Sequence, residues 1–317
     1  MRHRKLHANG IDVHVAEAGD GPPVILLHGF PELWYSWRHQ LPALAASGFH
    51  AIAPDLRGYG QSAIPPDVEA YGMRAMVDDV VSLLDALDEP TAALVGHDWG
   101  AQIAWACAQL VPERFPALAA LSVPYHRRTP APMTQDLRRW AGDRFNWLLY
   151  FQTPGVAEAE LQADVERSMR LISYALSGDA PDGLAVRLLT GLPAGSRLLD
   201  PIPEPVRPLS WLTDSDLSYY VEEFRRTGFT GALSRYRNVD RDWQELPALG
   251  ATPVRQPVLF VTGEMDTATR FMDTDAMRQY VPKLRDSVVL PGCGHWIQQE
   301  RPTEVNALLI DFLSGYK

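Results

Sequence analysis

Short apolar runs alternate with helical spacings through the first 125 residues. Residues 24–27, 50–53, 92–95 and 118–123 are four such runs, bounded by turn-forming residues and long enough for buried strands. Between them, Val77, Val80, Val81, Leu84 and Leu87 recur at helical spacing, and residues 101–110 read as a second apolar helix. Strands alternating with helices predict a mostly parallel sheet covered on both faces. The rhythm breaks between about residues 126 and 245. There, helical patterns at 156–172 and 217–226, proline-rich turns at 130–133 and 201–208, and many aromatics replace the strand runs. Strand character returns at 257–262 and 287–290. A last helix over 302–313 begins at Pro302, where a missing N–H does no harm. The pattern predicts an α/β core of residues 1–125 and 246–317, interrupted by a helical cap of residues 126–245.

Charge narrows the choice of partner. With 29 basic against 39 acidic side chains, a net of −10, the chain lacks the basic footprint of a nucleic-acid binder. No apolar stretch approaches the length of a membrane span, and the charged N-terminus does not read as a secretion signal, so a cytoplasmic enzyme is expected. Cys107 and Cys293 stand far apart in no metal-ligand spacing. Two reduced thiols are the expectation, with a disulfide the alternative. The sequence leaves monomer and homodimer both open.

The chemistry concentrates at residues 94–101. An apolar run ends, Asp98 is flanked at both second neighbours by Gly96 and Gly100, and an apolar helix begins. This is the pattern of a nucleophile elbow, where small residues permit a strained turn that exposes the central side chain. Asp98 has a competing reading as the N-cap of the following helix. Partners in the right order favour the nucleophile. An elbow nucleophile needs an acid and then a histidine further along the chain. Asp266 follows the strand at 257–262, and His295 follows the strand at 287–290. Both lie just past the carboxyl ends of strands, where open α/β sheets bind ligands. Glu264 and Asp273 are rival acids. The turn at His28–Gly29–Phe30–Pro31–Glu32 follows the first core strand. It supplies the backbone N–H of Phe30 to pair with that of Trp99 as an oxyanion hole. A cis bond before Pro31 is compatible with that turn.

These residues resemble the epoxide hydrolases of the α/β-hydrolase superfamily, in the bacterial form without an added N-terminal phosphatase domain. The resemblance runs over most of the chain: HGFPELWYSWRHQ (28–40), DLRGYGQS (55–62), VGHDWGA (95–101) and GCGHWIQQERPTEV (292–305) each look like signatures of that family. LYFQTPGVAEAEL (149–161) and GALSRYRNVDRDW (231–243) resemble the cap segments that carry its proton-donating tyrosines, which points to Tyr150 and Tyr236. Residues from about 175 to 208 match nothing of use.

The resemblance implies an α/β-hydrolase fold, a mostly parallel sheet flanked by helices with an inserted helical cap, and a small-molecule epoxide as substrate. Asp98 attacks an epoxide carbon while Tyr150 and Tyr236 hold the oxygen, and His295, oriented by Asp266, then activates water against the aspartyl ester. Neither a metal nor an organic cofactor is required. Each tyrosine has an alternative as a packing residue of the cap, and Tyr35, Tyr219 and Tyr220 are read as packing or pocket walls. Trp34, Trp37, Trp99 and Trp296 are read as pocket walls, with core packing the alternative for each. Glu32 either orients the hydrolytic water or is a solvated loop carboxylate. Three rival functions remain. A haloalkane dehalogenase shares the aspartate nucleophile, but Phe30 offers no side-chain donor for a halide. A serine esterase lacks its serine at position 98. A binding protein on this fold would have no use for the whole set.

Overall fold

The computed structural model describes every residue except 182, 191, 271–273 and 317, so the rival acid Asp273 lies outside the described residues. Eight strands form one sheet: β1 (Arg2–Ala8), β2 (Ile11–Ala18), β3 (Pro23–Leu27), β4 (His50–Pro54), β5 (Ala93–His97), β6 (Leu118–Leu121), β7 (Val258–Gly263) and β8 (Leu284–Leu290). Their spatial order is β1-β2-β4-β3-β5-β6-β7-β8. β2 runs antiparallel to both neighbours, and every other pairing is parallel. The six strands β3 to β8 coincide with the predicted apolar runs to within three residues. β3 to β7 are buried on both faces, as a parallel sheet demands, whereas β8 at the sheet's edge is exposed along most of its length.

The β1–β2 hairpin escaped the sequence reading. Its outer strand is almost wholly exposed, so no apolar run marks it. The usable signal was its turn. Asn9 and Gly10 both take positive φ, 48° and 74°, as a two-residue hairpin requires.

Between β6 and β7, the described residues hold helices and loops and no strand. The helical pattern at 156–172 is two helices rather than one, Val156–Ala163 and Val165–Ala175. Asp164 separates them by accepting the Arg167 N–H at 3.0 Å, which caps the second. Polar contacts dock this insertion on the core. Asn238 donates to the Val68 carbonyl at 2.7 Å, Asp242 accepts the Met73 N–H at 2.7 Å, and Arg235 joins the Tyr71 carbonyl to Asp242. Gly231 lies so near Gly58 that an added Cβ would come within 2.8 Å of its Cα. The insertion therefore covers the carboxyl ends of the central strands, where the elbow is.

Candidate active site

Asp98 occupies the turn from β5 into the helix Trp99–Leu110 at φ 52°, ψ −119°, a strained backbone for a residue with a Cβ. Two glycines make the turn possible. A Cβ on Gly96 would lie 2.2 Å from the Gly100 oxygen, and one on Gly100 would lie 1.9 Å from the Leu27 oxygen. Although Asp98 stands at the N-cap position, its carboxylate caps nothing. Instead Oδ1 accepts the Phe30 backbone N–H at 2.8 Å. The Phe30–Pro31 bond is cis. Trp99 opens the helix, where backbone N–H groups have no intrahelical acceptor.

His295 reaches the same carboxylate from the loop after β8. Its Nε2 stands 3.6 Å from Asp98 Oδ2, and its Nδ1 lies 3.1 Å from Asp266 Oδ2. Asp266 is fully buried, and its Oδ1 accepts the Ala268 N–H at 2.9 Å. Burial by itself would raise the Asp266 pKa, but the His295 charge and hydrogen bond hold it below the usual carboxylate range. For His295, burial acts to lower the pKa, and the flanking carboxylates of Asp266 and Asp98 outweigh it and hold the value well above 6.5. The rival acid Glu264 is occupied elsewhere, accepting the Gly292 N–H at 2.9 Å.

The triad opens into a cavity of about 330 Å³ roofed by the helical insertion. Phe30, Asp98, Trp99, Tyr236 and His295 all line it, and most of the remaining wall is aliphatic or aromatic. Tyr236, on the helix Thr230–Arg237, is packed among the rings of Phe30, Trp99, Trp147 and Phe151 at centroid distances of 5.0–5.5 Å. The Gln152 amide fixes its backbone by donating to the Tyr236 carbonyl at 3.0 Å. Burial first, and then the Asp98 charge, push its pKa well above 10, so its proton is retained at neutral pH.

The family profile described as alpha/beta hydrolase fold matches residues 22–302. The chain is 44% identical to epoxide hydrolase A of Mycobacterium tuberculosis over 98% of its own length and 97% of that protein's. Its structure superposes on the crystal structure of epoxide hydrolase A from Mycobacterium thermoresistibile with a TM-score of 0.94 and 45% identity, covering 99% and 98% of the two chains. An epoxide hydrolase from an endophytic Streptomyces gives 0.96 and 48%, over 99% and 95%. The chain belongs to the epoxide hydrolase family.

In this epoxide hydrolase, four side chains expected at the cavity lie elsewhere. The Tyr150 hydroxyl donates to Glu160 at 2.7 Å, and Tyr150 does not line the cavity. Glu160 in turn accepts the backbone N–H groups of Leu198 and Leu199 at 3.1 and 2.9 Å, so Tyr150 pins a cap loop. Trp34 donates to the Tyr219 hydroxyl at 2.8 Å and Trp37 is wholly buried, and neither lines the cavity. Trp296 does not line the cavity either, and donates to the Ser173 carbonyl at 2.9 Å. Sequence spacing places such rings near the site but does not say on which side of a loop they fall. Tyr35 and Tyr220 pack as expected, bonded to Asp216 and Ser36.

Glu32 is neither solvated nor at the cavity. It is 1% exposed, and four donors surround it. His97 Nδ1 at 2.6 Å and the Gly29 N–H at 2.8 Å meet one oxygen, and the Gln298 and Gln299 amides at 2.8 and 3.2 Å meet the other. Burial opposes its charge, but His97 and the other donors bring its pKa down to about 2. Through these bonds Glu32 ties the Phe30 loop to the His295 loop. His97 Nε2 and Ser122 Oγ both donate to the His295 carbonyl, at 2.8 and 2.7 Å, and Glu300 accepts the N–H groups of Gly294 and Trp296 at 2.9 and 3.0 Å. These supports explain the run HWIQQE after the elbow's partner: each glutamine and the glutamate has a fixed task. His97 and Ser122 were missed. His97 had a signal in its place beside the elbow, whereas Ser122, at φ 67°, had none.

Proposed function

We propose that this chain hydrolyses epoxides to vicinal diols through an ester on Asp98. The observation that carries the reading is the division of labour at one carboxylate, with Oδ1 on the Phe30 N–H and Oδ2 toward His295, beneath the Tyr236 phenol. Oδ2 attacks an epoxide carbon, the carbon–oxygen bond breaks, and the departing oxygen takes the Tyr236 proton, leaving a phenolate. A positioned general acid is worth roughly 10²–10⁴ in rate.

Alkylation also changes the base. The ester carries no charge, so one of the two carboxylates that keep His295 protonated is gone, and its pKa falls. The released proton passes through solvent to the Tyr236 phenolate, and the neutral His295, with Nδ1–H donating to Asp266, accepts a proton from water as the water attacks the ester carbon. The charge that develops on Oδ1 is met by the Phe30 and Trp99 N–H groups. The expelled oxygen takes the remaining proton of the water as the diol leaves, which restores the Asp98 carboxylate, protonated His295 and neutral Tyr236. The apolar wall favours an epoxide with an uncharged, apolar substituent.

Incubation of the purified protein with a panel of racemic aryl and alkyl epoxides, with chiral analysis of diol and residual substrate, tests the activity. Diol from at least one substrate, lost in Asp98→Ala, is expected. Turnover that survives Asp98→Ala contradicts the nucleophile, and an inert wild-type protein contradicts the activity.

A further inference from the structure

Ring opening concentrates negative charge on one oxygen, and a single phenol is a sparse reception for it. Among the described residues Tyr236 is the only tyrosine on the cavity wall, because Tyr150 is held by Glu160. That hold is firm. Glu160 is 5% exposed, and withdrawing the Tyr150 hydroxyl would leave a buried carboxylate short of a donor.

Trp147, at the other end of the same four-residue helix, stands on the cavity wall instead. Its ring meets Tyr236 edge to face at 5.5 Å and Phe151 at 5.5 Å. Asn146 fixes the helix it opens, accepting the Leu148 and Leu149 N–H groups at 3.0 and 3.1 Å, so the indole is set by the backbone rather than free to drift. Trp37 and Trp211 hold their unpartnered indole N–H groups in sealed packing; that of Trp147 is not among these sealed groups. Among the described residues no acceptor is bonded to it, and Trp147 lines the same cavity as Asp98.

We propose that Trp147 is the second donor to the epoxide oxygen, beside Tyr236. The inference rests on the epoxide-opening reading and adds an asymmetry to it. An indole N–H donates a hydrogen bond and is never surrendered as a proton. The hydrogen that ends on the substrate oxygen therefore comes from Tyr236, whose O–H bond breaks as the new one forms, while the Trp147 N–H stays intact and holds the oxygen throughout. Tyr236 becomes the only proton source for ring opening.

Rapid-quench kinetics with styrene oxide, following the ester on the Asp98 peptide, separate the alkylation and hydrolysis rates in each variant. Trp147→Phe is expected to slow alkylation by about 10- to 100-fold, the worth of one hydrogen bond to a charged oxygen, with hydrolysis of the ester little changed. Trp147→Tyr should recover most of that loss, since a phenol restores a donor at the same place. Tyr236→Phe should cost roughly 10²–10⁴, the larger share, and Tyr150→Phe should slow alkylation less than Trp147→Phe does. A merely structural Trp147 would slow both steps and would not be rescued by tyrosine, which overturns the proposal. Wild-type alkylation in Trp147→Phe, or a larger loss in Tyr150→Phe, overturns it while leaving the ester mechanism standing. If the wild-type protein forms no ester on Asp98 at all, the underlying mechanism fails and the Trp147 role falls with it.

Discussion

The Phe30 backbone N–H donates to Asp98 Oδ1 at 2.8 Å, so one oxygen of the nucleophile already sits where the charge of ester hydrolysis will develop. Gly29 sets that approach. A Cβ there would lie 2.3 Å from both Cβ and Oδ1 of Asp98, and neither atom can yield without moving the elbow. Gly29→Ala should therefore lower kcat by about 10²–10³, the usual cost of losing one oxyanion donor, in a protein that still folds by circular dichroism. Near-normal kcat in Gly29→Ala would show that the loop is not held by this contact.

The two steps should respond differently to pH. His295 must be neutral to accept a proton from water, so ester hydrolysis should fall as pH drops through its pKa in the alkylated enzyme. Burial lowers that pKa, and with the Asp98 charge gone the Asp266 carboxylate is the main influence raising it. Asp266→Asn removes that influence. The acid limb of the hydrolysis rate should move to lower pH, while the plateau falls because the ring is no longer oriented. Stopped-flow measurement of ester decay from pH 5 to 9 checks both, and a limb displaced to higher pH is the contrary result.

Acid stability offers a test of Glu32 as a structural tie. Its folded pKa of about 2 lies below the ordinary value of 4.5. A depressed carboxylate contributes stability that is present above pH 4.5 and is lost as pH falls toward 2. Glu32→Gln should be less stable than wild type at neutral pH, and its urea midpoint should decline less steeply over that acid window. Parallel declines in the two proteins would mean that folding does not depress the Glu32 pKa.

Much of this site was legible in the sequence because its parts are punctuated. Gly96 and Gly100 announce a turn that only small residues can flank, and Asp266 and His295 follow apolar runs that can only be strands. Aromatic residues carry no such punctuation. Trp147 and Tyr150 lie three apart, on nearly the same helix face, so spacing alone does not tell which of them meets the cavity and which meets the Glu160 carboxylate one turn on. Tyr236 sits in a longer helix pinned at both ends, and there the family resemblance pointed to a residue that does line the cavity. Glu32 was misjudged for a different reason. Its burial depends on His97, Gln298 and Gln299, which converge on it from two widely separated stretches of chain.

The oxygen that water delivers discriminates most directly between attack by Asp98 and attack by water on the epoxide. A single turnover with enzyme in excess, in water enriched in ¹⁸O, should place the label in the Asp98 carboxylate and leave the first diol unlabelled, as read by mass spectrometry of the peptide and product. Label in the diol of that first turnover, with Asp98 unlabelled, would contradict the covalent route.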